Sequence, residues 1–147
     1  MQADLDLVRR LVAADHGLAI VATTRADNTV HASLVNAGVL DHPVTGEPCV
    51  GLVARGEARK LDLLRTSGGA TVVFRSGWEW VAVEGPVTIA GPGDPLPGFD
   101  ADRIPQLLRD VFTAAGGTHD NWDEYDRVMA SERRTAVLIE PARITTN

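Results

Sequence analysis

The sequence contains a single cysteine, Cys49, among 147 residues. An intramolecular disulfide is therefore excluded, and a thiolate zinc centre lacks its second sulfur. Four dispersed histidines do not make up that deficit, so no metal site is expected. Long apolar runs are also missing. Stretches such as Leu18 to Ala22 are far too short to cross a bilayer as a helix. The amino terminus carries Asp4 and Asp6 rather than a basic segment followed by an apolar one, which predicts no secretory signal. Positive charge is scarce: the formal net charge is −6 and the pI is near 5.1. General nucleic-acid binding needs a broad basic surface that this chain does not supply. Motifs of the common hydrolases and nucleotide-binding enzymes are absent, with no Gly-x-Ser-x-Gly, no phosphate loop and no His-Glu-x-x-His. These absences point to a cytoplasmic protein with no membrane, nucleic-acid or metal partner.

What is present suits one globular domain spanning residues 1–147. Hydrophobic residues make up 44% and charged residues 23%, and a chain of this length buries roughly 70% of its unfolded surface. Residues 4–15 carry Leu5, Val8, Leu11 and Val12 at helical spacing, with Gly17 as the stop. From Leu18 the pattern turns to strand. Residues 18–24 and 29–40 form a hairpin across the turn at Arg25 to Asn28, and 49–54 follow after a Pro/Gly-rich loop. A helix is expected over 57–66, then strands over 69–75 and 78–89. An exposed loop over 91–98 and helices over 103–114 and 122–131 come next, and then a last strand over 135–144, broken near Pro141. Short connections between strands favour an antiparallel sheet, and six strands of this length can close into a small barrel. Leu18 to Ala22 and Thr71 to Phe74 are apolar on both faces, so the outer face needs a cover; the expected cover is a second subunit.

Few residues suggest chemistry. Cys49 opens an apolar strand and reads as a small buried hydrophobe. Asp123, Glu124 and Asp126 begin a helix, where carboxylates complement its dipole. His16 and His42 fall in turns and are expected to be solvated, and His31 reads as a hydrogen-bonded structural histidine. No catalytic residue can be assigned. The junction of strand and helix at Arg55 to Lys60 differs, because Arg55, Arg59, Lys60 and Arg65 cluster there on an otherwise acidic chain. Free amides at a helix start suit a phosphate, and arginine and lysine add charge-assisted donors.

The surrounding residues carry a resemblance. The segments Glu57-Ala58-Arg59-Lys60-Leu61-Asp62-Leu63-Leu64, Ala70-Thr71-Val72-Val73-Phe74 and Trp80-Val81-Ala82-Val83-Glu84-Gly85-Pro86-Val87 resemble the pyridoxamine 5′-phosphate oxidase-like, flavin-binding split-barrel family. Ala19 to Asn28 is similar to that family's first hairpin, and His31-Ala32-Ser33-Leu34-Val35-Asn36 to the strand whose edge lies along the flavin ring. The run from Asn121 to Met129, with Arg134 to Ile144, resembles the short deazaflavin-dependent reductases of that family. True pyridoxamine phosphate oxidases continue into a further basic segment that is not found after Ile144, so vitamin B6 oxidation is not expected.

The resemblance implies a mainly β chain with peripheral helices, an antiparallel six-stranded split barrel that forms a homodimer. It implies that Arg59 and Lys60, with Arg55 nearby, hold a cofactor phosphate. The backbone of Ser33, Leu34, Val35 and Asn36 would face the ring, and Trp78 and Trp80 would line the dimer groove. Position 58, often Ser or Thr in the family, is Ala58, which removes a hydroxyl contact worth about 1 kcal/mol. Glu57 adds negative charge beside it. The implied cofactor is the deazaflavin coenzyme F-420, with FMN the alternative, and the implied reaction is hydride transfer to an unsaturated or conjugated small molecule. A protein that binds flavin, deazaflavin or haem without turnover is the remaining alternative, with His31 or His119 the axial-ligand candidates for haem.

Overall fold

The β-rich middle of the chain closes into a barrel, with helices at its ends and over one flank. The computed structural model describes residues 2–147. In chain order the elements are α1 (Leu5–Ala14), β1 (Leu18–Thr24), β2 (Val30–Asp41), β3 (Pro48–Ala54), α2 (Arg59–Ser67), β4 (Gly69–Ser76) and β5 (Glu79–Ala90). A short 3-10 turn (Ala101–Arg103), α3 (Ile104–Ala114), α4 (Trp122–Ser131), β6 (Thr135–Ile139) and β7 (Arg143–Thr145) complete it. All strand pairs are antiparallel. The order β4-β1-β2-β3-β6-β5 closes on itself through the β4–β5 hairpin, giving the six-stranded barrel expected from the sequence. β7 extends the ladder on β5 past the end of β6, with Pro141 in the break between them.

Local chemistry sets the boundaries. The Asp4 carboxylate accepts the Leu7 amide at 2.9 Å and caps α1. Gly17, at φ 70°, ends that turn. Between β1 and β2, Asp27 accepts both the amide and the hydroxyl of Thr29 at 3.0 and 2.6 Å, and Asn28 takes the left-handed conformation at φ 69°.

Two apolar clusters result. One fills the barrel, where Val72, Phe74, Val81 and Val83 are fully buried and α1 contributes Leu7, Val8, Leu11 and Val12. Burial of each large side chain stabilises the fold by roughly 1.5–3 kcal/mol. The second lies outside the barrel, where Leu107, Leu108 and Val111 of α3 and Tyr125 of α4 cover Cys49, Ala136 and Leu138. Cys49 is the buried thiol expected, and burial pushes its pKa up to about 12. The opposite outer face has no helix on it and leaves Ile20, Val30 and Leu34 exposed, with Trp78 at 95% exposure on the β4–β5 turn.

Two histidines depart from expectation. His42 is buried rather than solvated, because its Nδ1 accepts the Val44 and Thr45 amides at 3.1 and 3.3 Å and closes the turn over it. His31 Nδ1 is buried with no hydrogen-bond partner among the described residues. The hydroxyl across from it, on Thr23, is already committed to Ser67 and the Gly69 carbonyl.

α3 reaches the barrel through a glycine. A Cβ on Gly38 would run into the Ala114 backbone, so Gly38→Ala must push the end of α3 off β2. The expected loss is about 3 kcal/mol, at the upper end for overpacking, seen as a lower urea midpoint with an unchanged slope.

Candidate functional site

The barrel is split where β2 leaves β3. Their ladder ends at Ala37 opposite Leu52, while β2 continues back to Val30 paired only with β1. The alternation of hydrogen bonds can be followed from the Ala37 amide, which donates to the Gly17 carbonyl at 2.8 Å. Odd-numbered residues of this half of β2 therefore turn their peptide groups to β1. Leu34 and Asn36 turn theirs to the open side. Val53 and Ala54 form the far bank, held by β6.

This gap is a cleft of about 520 Å³, inside the range of roughly 300–1,000 Å³ typical of small-molecule sites. Its inner wall is apolar, built from Val111 and Phe112 of α3, Ala115 just past its end, and Tyr125 and Met129 of α4. Phe112, His119, Trp122 and Tyr125 pack together in edge-to-face and tilted pairs, with ring centroids 5.0–6.5 Å apart. The Tyr125 hydroxyl donates to the Leu108 carbonyl at 3.1 Å, and burial pushes its pKa up to about 12. Tyr125 is a wall held neutral, already committed as a donor.

The mouth is charged. α2 begins directly after Ala58, which has extended geometry and no side-chain cap; its carbonyl accepts the Leu61 amide at 3.1 Å, and the Arg59 and Lys60 amides stay without a partner among the described residues. Arg55, Glu57, Lys60 and Arg134 line this end. Arg55 and Arg134 share one counter-ion, Glu132, at 3.1 and 3.0 Å. Lys60 is half-buried with no carboxylate partner among the described residues. Burial first, and the neighbouring Arg134 second, hold its ammonium below the ordinary lysine value.

Of the residues singled out from sequence, Leu34, Val35, Asn36, Arg55, Ala58 and Lys60 meet in this cleft. Arg59 stands exposed on the first turn of α2, outside the lining. Ser33 faces inward, its hydroxyl buried with no partner among the described residues. Trp80 lies elsewhere, in a shallow hollow on the outer face with Val73, Arg75 and Trp78. Arg65 is taken by Asp94 and Asp62. Sequence reasoning missed Arg134, Glu132 and the wall from α3 and α4. Arg134 and Glu132 lie some eighty residues from Arg55 in the chain, and only strand β6 beside β3 brings them together. No cluster of three or more metal-ligating side chains occurs among the described residues, and no described helix is long and apolar enough to cross a membrane.

No protein-family profile matches this chain, and no curated protein does. Solved structures do. The conserved hypothetical protein Rv2991 from Mycobacterium tuberculosis aligns over 99% of this chain and 85% of its own, with 17% identity and a TM-score of 0.68. A pyridoxamine 5′-phosphate oxidase-related, FMN-binding protein from Nostoc punctiforme aligns over 95% and 78%, with 12% identity and a TM-score of 0.64. An F-420 reductase aligns over 91% and 93%, with 10% identity and a TM-score of 0.60. The chain has the split-barrel fold of the pyridoxamine 5′-phosphate oxidase-like proteins. The likeness at these identities is one of fold, and a split barrel hosts more than one chemistry.

Lys60 gives the cleft a pH signature. Between its lowered pKa and the ordinary 10.5, the unfolded chain holds the proton more firmly than the folded one. Unfolding free energy contributed by Lys60 therefore rises with pH across that window. Subtracting the urea stability of Lys60→Met from that of the native chain at successive alkaline pH values should reveal this rise, and a flat difference would contradict the assigned environment.

Proposed function

We propose that the cleft binds a flavin-type cofactor and that the chain is a reductase dependent on the deazaflavin coenzyme F-420. The observation that carries this reading is Lys60, a half-buried cation without a carboxylate partner among the described residues, set at the mouth of an apolar cleft beside an open strand edge. Such a cation favours an anion, and an apolar slot with one edge of peptide groups favours a flat heteroaromatic ring. The FMN-binding protein and the F-420 reductase among structures of the same fold support a cofactor of this type.

Lys60 and the open amides at the start of α2 would hold the phosphate, with Arg55 and Arg134 beside them. The peptide groups of Leu34 and Asn36 would meet the ring edge, and Phe112 and Met129 would keep water from its face. Arg59, out in solvent, suits the anionic tail of a deazaflavin coenzyme. When bound, the coenzyme supplies a hydride for an unsaturated or conjugated acceptor. For haem an axial ligand is needed, and neither His31 nor His119 lines the cleft.

We also propose that the uncovered outer face pairs with a second copy of the chain. Leu34 belongs both to that face and to the cleft lining, so the apolar surface is continuous with the site. Sedimentation at micromolar concentration should give a dimer, and Ile20→Asp should give a monomer; a monomeric native chain would overturn the pairing.

The cofactor reading is tested by fluorescence titration with the deazaflavin coenzyme and FMN in parallel. Tight deazaflavin binding and weak FMN binding are expected, and Lys60→Ala should weaken the former by about tenfold or more, the usual worth of a charge-assisted contact. The reverse preference would make this an FMN-dependent oxidoreductase. Binding without turnover on any acceptor would make it a carrier, and binding of neither ligand would remove the function.

A further inference from the structure

The cations at the cleft mouth are not all equivalent. Arg55 and Arg134 reach the lining from different elements, and Glu132 ties them together through one carboxylate oxygen each. Glu132 itself is not among the residues lining the cleft. Its backbone carbonyl accepts the Gly56 amide at 3.2 Å, which fixes the end of α4 to the loop before α2. A carboxylate at a helix C-terminus is disfavoured by the helix dipole, so the position of Glu132 makes sense only through its two guanidinium partners.

The Glu132 contact consumes Nε of Arg134 and leaves that guanidinium's terminal amines without a partner among the described residues. Arg134 lines the cleft, so those amines are available as a fork to a ligand there. The charge balance is equally specific. Arg55, Lys60 and Arg134 bring three positive charges, and Glu57 and Glu132 bring two negative ones. Arg59 and Arg133 are exposed to solvent and lie outside the lining, where salt screens them. One unit of positive charge is left for a ligand. A phosphodiester carries one negative charge, whereas a phosphomonoester carries close to two above its second pKa near 6.

We propose that Glu132 is a specificity-determining residue: it aligns Arg55 and Arg134 and limits the mouth of the cleft to a singly charged phosphodiester. The proposal rests on reading the cleft as a site for a phosphate-bearing cofactor. Glu132 acts through the two arginines and does not itself touch the ligand.

The test compares the native chain with Glu132→Gln and Glu132→Asp at pH 8, titrated with FMN, the deazaflavin coenzyme and riboflavin. Glu132→Gln should move the ratio of FMN to deazaflavin affinity toward FMN by about tenfold. Riboflavin binding should stay the same, and Glu132→Asp should restore the native ratio. A merely structural role would weaken all three ligands together, and that result, or an unmoved ratio, would overturn the proposal. Methyl phosphate and dimethyl phosphate, followed by NMR shifts of the arginine Nε–H resonances, separate this proposal from the cofactor reading. If no ring compound binds but the preference of Glu132→Gln moves toward methyl phosphate, the cofactor reading falls and the role of Glu132 stands. If ring compounds bind and neither preference moves, the outcome is reversed.

Discussion

The site depends on the point where the β2–β3 ladder stops. Up to Ala37 and Leu52 the two strands satisfy one another's peptide groups, and beyond it each turns to a different neighbour. A strand edge left open inside a protein is costly unless water or a ligand meets it. Here the open stretch faces a cleft rather than bulk surface, and the helices that form the opposite wall come from the far end of the chain. The close approach of α3 to β2 at Gly38 holds that wall in place. Separation of β2 from β3 and docking of α3 on β2 are thus two parts of one arrangement: the first makes the gap and the second limits its width.

The electrostatics follow from the same geometry. β6 lies beside β3, so the residues just before β6 come level with the residues just after β3. Register therefore sets Arg134 against Arg55 and Lys60. The cations repel one another in an apolar setting, and the Lys60 pKa is lowered first by burial and second by the charge of Arg134. Glu132 offsets this repulsion for two of them and leaves Lys60 without an anion. A buried or half-buried charge in that condition is expensive for stability and useful for binding, a combination that clusters at functional sites.

Much of the fold was legible because strand alternation, turn residues and the helical spacing of the first segment act locally. Asp4, Asn28 and Pro141 each mark a boundary that the structure also shows. The basic cluster was visible for the same reason, being contiguous in sequence. Its division of labour was not. Arg65 is neutralised by Asp94, which lies in a loop twenty-nine residues away. Arg59 and Lys60 are adjacent, yet helical geometry sends one to solvent and the other to the cleft. His42 read as a turn residue, and it is one, but its ring serves as an acceptor for the turn's own amides and is buried for that reason. Nothing in the spacing of Glu132, Arg134, Phe112 or Met129 announces a site, since their contacts with β2 and the loop before α2 are made only after the barrel closes.

The turn between α4 and β6 shows how much local geometry converges on one side chain. Arg133 adopts φ 50°, a left-handed conformation that glycine takes without penalty and that other residues take at a cost of about 1 kcal/mol. In return the Arg133 and Arg134 amides bond back to Ala130 and Met129 at 3.1 and 2.9 Å, reversing the chain at the end of the helix. The loop before α2 must then pass very close. A Cβ on Gly56 would sit 2.6 Å from that of Arg133, so only glycine allows the contact. Left-handed backbone at 133, a missing side chain at 56 and the ion pairs of Glu132 each constrain the same few residues. Their shared result is a fixed position for Arg134 beside Lys60. Constraints of different physical origin that agree on one guanidinium argue that its placement matters more than the small stability it costs.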